Sequence, residues 1–217
     1  LLQDIGLLFV REGRVAGVQE VGERLVSSWP KHTAGPRLLC EAAFLTLRAR
    51  NWTTAQSLLN RAIEVAPRGA YAGIACLQGT DVCIEQLCDL AQAEKYAALG
   101  LEWAKANPKL ARAPDLLNPP MLHAPFSGGG FRDMERPASP VRLAPGSVLL
   151  RELYVRAGLT LCLAGKGKEA LPVLKTADSF MPPVASAGLV FGRSGGLIDA
   201  IRRDYKITPE EVQAGDP

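Results

Sequence analysis

The chain has 217 residues, of which 47% are apolar and only 6% are aromatic, and its formal net charge is +3. This length is enough for one domain, or for one elongated array of repeats, with a sizeable core. The small charge, without a Lys and Arg cluster interleaved with aromatic residues, argues against binding of nucleic acid. Charged residues such as Asp4 and Arg151 interrupt every apolar run before it reaches the roughly 18 residues of a membrane span. We therefore expect neither nucleic-acid binding nor a transmembrane segment.

Cysteine usage indicates a reducing compartment. The five cysteines are an odd number and lie in apolar, helix-like segments, which favours buried thiols over a disulfide framework. We therefore expect the cytoplasm or the interior of an organelle. The chain begins with Leu1 and not with Met, which fits a targeting segment that has been removed or left out.

Hydrophobic spacing predicts pairs of helices along the chain, and each pair ends near a proline. The prolines at positions 30, 67, 108 and 182 follow the second helix of a pair, where the ring excludes a continuing backbone hydrogen bond. Residues 69–79 are ambiguous, because three glycines weaken a helix there although Tyr71, Ile74 and Leu77 keep a helical spacing. The predicted helices span residues 2–12, 15–28, 36–49, 53–65, 81–92, 94–106, 147–164 and 168–180.

Two of these pairs, in residues 39–67 and 154–182, follow one template at a fixed offset of 115 positions. Small residues recur in it together with large ones. Two antiparallel helices approach closely only where one presents Ala or Gly, and a large side chain then fills the groove so created. The small residues expected to form these gaps are Ala43, Ala55 and Ala62, then Gly158, Ala170 and Ala177; the residues expected to fill them include Leu39, Leu47 and Leu59, then Tyr154, Leu161 and Leu174.

These residues resemble the tetratricopeptide repeat family, whose helix-turn-helix unit has small residues at three fixed places and a proline at its end. The N-terminal stretch, with Gly6, Gly13 and Pro30, fits more loosely, and residues 81–108 look like a degenerate third unit. The resemblance implies an all-α fold: a right-handed α-solenoid of three to four imperfect repeats. We expect N-terminal repeats in 1–107, an irregular insertion in 108–146, a further repeat in 147–182 and a capping tail in 183–217.

The predicted insertion and the predicted tail differ in composition from the repeats. Eight prolines and the glycines at 128–130 prevent a long regular element in the insertion, yet Leu116, Met121 and Phe126 are too apolar for a purely solvated linker. We expect this segment to dock on the protein's own groove or on a partner. In the tail, a short amphipathic helix over 197–205 would cover the exposed face of the last repeat.

The resemblance also implies a binding surface, because the first helix of each unit in that family lines an inner groove that binds an extended peptide or a helix. Family members that clamp the terminal carboxylate of a chaperone use Lys and Asn at several of these places, and this chain has neither there. We therefore expect a non-catalytic scaffold or adaptor, a subunit of a larger assembly, that binds an apolar peptide or helix. Residues 109–146 of the same chain could supply that segment. The predicted partner-binding residues are Arg37, Cys40, Phe44, Leu47, Arg48, Val155 and Leu159, on a face that also holds Leu7, Val10, Arg11 and Cys162.

An enzyme is the alternative from another functional class. The glycines at 128–130 lack the following Lys and Ser or Thr of a phosphate-binding loop. Glu41, Glu64 and Glu102 are isolated on predicted helices, where a carboxylate is usually solvated and not half of an acid and base pair. We predict no catalytic residues.

A cofactor-binding or metal-binding helical repeat protein is the other form of this alternative. Its least implausible ligands are Cys83, Cys88 and His123. The two cysteines are five positions apart, which is not the spacing of a zinc knuckle, and the histidine is far from them in sequence. We therefore predict no metal and no cofactor.

Overall fold

A computed structural model describes residues 1–109 and 146–180, and every regular element within them is helical. The predicted all-α class is thus confirmed for this part of the chain. Apart from the third pair, the helices begin and end within about two residues of the predicted positions. The helices are α1 (Leu2–Arg11), α2 (Val15–Ser28), α3 (Ala34–Arg48), α4 (Trp52–Val65), α5 (Ala70–Val82), α6 (Leu90–Ala106), α7 (Gly146–Leu163) and α8 (Gly167–Ser179).

The turns that join α1 to α2, α3 to α4 and α7 to α8 have the same backbone geometry. Each first helix ends at a residue in the left-handed region, with φ of 69° at Gly13, 58° at Arg50 and 76° at Gly165. The next amide then donates a hydrogen bond to a carbonyl five positions earlier, which is the Schellman ending of a helix. These bonds are Arg14 N to Phe9 O (2.9 Å), Asn51 N to Thr46 O (3.0 Å) and Lys166 N to Leu161 O (2.8 Å). The three hairpins therefore repeat in backbone geometry as well as in sequence.

Small residues let the two helices of a hairpin approach closely, as the template predicts. A Cβ atom added to Gly158 would lie 2.5 Å from Cδ2 of Leu174, so any larger residue there would collide with α8. The corresponding residues of the earlier copy, Ala43 and Leu59, are both completely buried. Because no room remains for an extra methyl group, these positions fix the separation of the paired helices.

The third hairpin is where the predicted helix positions are wrong. Residues 81–92 do not form one helix: α5 ends at Val82, a π-helical turn follows over Cys83–Leu87, and Cys88 takes the left-handed conformation with φ of 51°. The side chain of Asp89 then caps α6 by accepting a hydrogen bond of 3.0 Å from the amide of Gln92. A single π-helical turn is the usual way for a helix to take up an extra residue.

Residues 69–79 prove helical because packing outweighs the low helix propensity of their glycines. A Cβ on Gly73 would lie 2.6 Å from the ring of Trp103, and a Cβ on Gly79 would lie 2.7 Å from the ring of Tyr96. Two large aromatic side chains of α6 thus cover these glycines. The Trp103 indole also donates a hydrogen bond of 2.9 Å to the carbonyl of Gly69, which holds the start of α5 against α6. Burial of such rings stabilises a helix by more than a glycine weakens it.

Successive helices pack side by side in chain order. Each helix contacts the next, and α1, α3, α5 and α7 additionally contact one another in series. We call these four helices the odd-helix layer. Gly100 of α6 is close to both Cys76 of α5 and Leu153 of α7, so the last hairpin sits directly on the third. This is repeat-like packing of adjacent helices.

Several predicted features lie outside the described residues. They are almost all of the insertion at 108–146, the terminal proline at 182, the capping tail at 183–217 and His123. Within residues 1–109 and 146–180, no helix is long and apolar enough to cross a membrane.

Candidate interaction surface

The predicted partner-binding residues lie on two members of the odd-helix layer, α3 and α7, and α5 lies between these helices in the series of contacts. Arg48 is exposed, and Arg37, Phe44 and Leu159 are partly exposed. These four side chains are accessible to a partner. Their role in binding stays a prediction.

The other three predicted residues are part of the core. Cys40 is 0% exposed, Leu47 is 5% exposed and Val155 is 8% exposed. The helical template places them on the groove side of their helices, but in the structure they belong to hydrophobic clusters formed with other helices. They therefore support the surface from beneath and present almost no area to a partner.

Charged side chains join α5 to α7 within the odd-helix layer, and Asp81 among them is buried. Arg156 of α7 donates two hydrogen bonds to Asp81 of α5, Nε to Oδ1 at 2.5 Å and Nη2 to Oδ2 at 3.3 Å. It also donates to Glu152 at 3.0 Å, and Glu152 in turn accepts a bond of 2.9 Å from Arg151. Burial raises the pKa of Asp81, while the facing Arg156 guanidinium acts in the opposite direction. The two hydrogen bonds between Arg156 and Asp81 fix the orientation of both side chains.

A second charged pair, Arg37 and Glu41, lies on α3, and its two side chains are not hydrogen-bonded to each other. Glu41 is 1% exposed, and its nearest cation is Nε of Arg37, 3.8 Å from Oε1, which is beyond hydrogen-bond distance. Both Oε2 of Glu41 and Nε of Arg37 are buried without a hydrogen-bond partner. Burial raises the pKa of Glu41 to about 7, although Arg37 lowers it in part. At neutral pH this carboxyl therefore exists in both protonation states.

The prediction that Glu41 is a solvated carboxylate is wrong, whereas Glu64 and Glu102 are exposed as expected. A signal for this was present in the repeat template. Glu41 and Arg156 occupy the same template position, 115 residues apart, on a helix face that is otherwise mostly apolar. A charged residue recurring on an apolar face indicates a buried polar site.

The three buried cysteines, Cys40, Cys76 and Cys83, are unreactive because of their environment. Burial raises the pKa of Cys76 to about 12 and that of Cys83 to about 11, and it raises the pKa of Cys40 further still. The thiolate is the form that attacks an electrophile or binds a metal, and burial disfavours it. Cys83 is completely buried, whereas Cys88 is exposed. No group of His, Cys, Asp or Glu suited to a metal ion occurs among the described residues.

The chain matches no model of a known protein family, and no curated protein matches it. The geometry of the helices and of the buried polar groups is therefore what indicates a function for this chain.

Proposed function

We propose that this protein is a non-catalytic interaction scaffold or adaptor, a subunit of a larger assembly, built as a solenoid similar to the tetratricopeptide repeats. It binds an apolar peptide or helix along the odd-helix layer. Residues 109–146 of the same chain are one candidate for the bound segment, and a partner protein is the other.

The serial packing of α1, α3, α5 and α7 carries this proposal. Such packing places the first helices of successive hairpins side by side in one continuous layer. In helical repeat proteins this arrangement forms an extended binding surface. Phe44 and Leu159 are partly exposed large apolar residues of this layer, on α3 and α7. Apolar side chains lining a long groove favour a protein segment over a small polar ligand.

The repeated turn geometry supports the solenoid. In three hairpins a residue with left-handed backbone conformation ends the first helix, namely Gly13, Arg50 and Gly165. The first two are 37 residues apart and the last two are 115 residues apart, which are the offsets of the sequence template. Equal turns give each hairpin a similar helix pairing, and stacking of similar pairs generates a superhelix.

Size-exclusion chromatography with mass measurement on native material tests the assembly. We expect a mass well above the 23.2 kDa of this chain together with a co-purifying protein. Introducing a charge into the layer through Phe44→Asp or Leu159→Asp should release that protein. Leu99→Asp is the matched control, because Leu99 is 45% exposed on α6, outside the odd-helix layer, and its substitution should leave the complex intact. A stable monomer without a partner would contradict the proposal, as would equal effects of all three substitutions in correctly folded protein.

A further inference from the structure

The turn before α3 and the turn before α5 form the two sides of an open cleft of about 410 Å³. We call it the turn cleft. Residues 30–33 line one side and residues 65–69 line the other, together with Pro36 of α3 and with Ala70 and Tyr71 of α5. The volume of the turn cleft lies within the range of small-molecule binding sites.

The ionisable side chains of the turn cleft are basic, apart from the phenol of Tyr71. Lys31 and His32 lie in the first turn and Arg68 lies in the second, and all three are exposed. In the described part of the chain, neither Lys31 nor Arg68 has an ion-pair partner. The described lining contains no acidic residue, and Glu41, whose charge acts on Tyr71, is buried behind it. This excess of positive charge favours an anion.

The imidazole of His32 adds a hydrogen-bond donor to the turn cleft even when it is uncharged. Its Nδ1 accepts a hydrogen bond of 3.1 Å from the amide of Ala34, the first residue of α3. A ring nitrogen that accepts a hydrogen bond carries no proton, so the neutral ring carries its proton on Nε2. The remaining nitrogen of His32 is therefore a donor and not an acceptor.

The start of α5 supplies main-chain donors in addition. Ala70 and Tyr71 are the first two residues of α5 and line the turn cleft. Amides of a first helical turn have no partner within the helix, and Gly69 has no side chain that could cap them. These amides supplement the cations of the two turns, which provide the charge of the site.

The rest of the lining is apolar, and this restricts the kind of anion that fits. Val65, Ala66 and Tyr71 are partly exposed, and Pro36 lies beside them. A simple inorganic ion gains nothing from such a surface, whereas an anion attached to an apolar group buries that group against it. A phosphate group offers three strong acceptor oxygens and up to two negative charges, which suits several donors and cations better than a carboxylate does.

We propose that the turn cleft binds a small phosphate monoester that carries an apolar substituent. Lys31 and Arg68 bind its phosphate group, and the substituent packs against Val65 and Tyr71. This inference goes beyond the proposed function and does not depend on it, because none of the predicted partner-binding residues lines the turn cleft.

Amide NMR spectra of the isotope-labelled, full-length chain test the site. Three compounds are titrated at low ionic strength: phenyl phosphate, inorganic phosphate and benzyl alcohol, which separate the contribution of the anion from that of the apolar group. The same titrations are made with Lys31→Gln and Arg68→Gln. Arg24→Gln is the matched control, because it removes one positive charge from an exposed position of α2 that does not line the turn cleft.

We expect phenyl phosphate to bind with a dissociation constant on the order of 1 mM, as for a ligand of this size. It should shift the amide signals of Gly69, Ala70 and Tyr71. Inorganic phosphate and benzyl alcohol should each bind more weakly. Replacement of Lys31 or Arg68 should weaken the binding of phenyl phosphate by about threefold to tenfold, between the values for an exposed ion pair and for a hydrogen bond to a charged group. Arg24→Gln should bind it like the wild type.

Three outcomes would overturn this inference and leave the proposed function unaffected. One is the absence of phenyl phosphate binding to the wild type, or signal shifts confined to other parts of the chain. Another is an equal loss of affinity in all three variants, which would show a general effect of net charge. The third is binding of benzyl alcohol as tightly as phenyl phosphate, which would show that the anion contributes nothing.

Discussion

Replacing Glu41 by Gln should remove a pH dependence of stability that the wild-type protein has. The pKa of this carboxyl is about 7 in the folded chain, against an ordinary value of 4.5. Because the folded pKa is the higher one, the folded state holds a proton that the unfolded state releases between these values, so wild-type stability falls as the pH rises from 4.5 to 7. At about 1.4 kcal/mol per pH unit, this interval amounts to on the order of 3 kcal/mol.

Urea unfolding followed by circular dichroism, at pH 4.5, 5.5, 6.5 and 7.5, measures the effect. The free energy of unfolding of Glu41→Gln minus that of the wild type should increase across the series by about 3 kcal/mol and then level off. Burial also raises the pKa of Asp81, but Asp81 is present in both proteins, so its contribution to the free energy of unfolding cancels in the difference. If the curves of Glu41→Gln and the wild type run parallel, burial does not raise the pKa of Glu41.

Four further substitutions test the packing of the helices, the ion pair between α5 and α7 and the cap of α6. Ala62→Leu or Ala170→Leu should each lower the free energy of unfolding by about 1 to 3 kcal/mol through overpacking, because both alanines are completely buried; two neutral results would show that the helix pairing is misplaced. Arg156→Met should cost about 3 to 5 kcal/mol at pH 7 in chemical denaturation, because it leaves the Asp81 carboxylate buried without its partner, and a cost below about 1 kcal/mol would show that the pair adds little. Asp89→Ala should lower stability by about 0.5 to 2 kcal/mol through loss of the helix cap, which a lower thermal midpoint would reveal; an unchanged midpoint would mean that the cap is not needed.

The sequence predicts the parts of this fold that depend on local rules. Apolar spacing, Gly13 and Gly165 at two of the turns and the alternation of small and large residues give the hairpins of α1–α2, α3–α4 and α7–α8 nearly at their observed positions. These signals involve residues close together in the chain, so they can be read without knowledge of the neighbours of each helix.

The third hairpin and the buried polar groups depend on tertiary contacts instead. Gly73 and Gly79 read as helix breakers until Trp103 and Tyr96 are known to lie over them. In the same way, Glu41 reads as a surface carboxylate when its helix is considered alone, and only the charged Arg156 at the same template position indicates a buried polar site. Composition and periodicity describe one helix at a time, and the polar site arises from the packing of several.

The order of packing along the chain has a consequence for how the protein folds as it is synthesised. Most contacts join helices that are first or second neighbours in sequence, and such local topologies fold fast. The hairpins of α1 to α4 can therefore close on the ribosome while later residues are still being translated. The hydrogen bond between Asp81 and Arg156 joins residues 75 positions apart and cannot form until α7 has been synthesised. The hairpin of α7 and α8 is therefore the last of the described hairpins to pack.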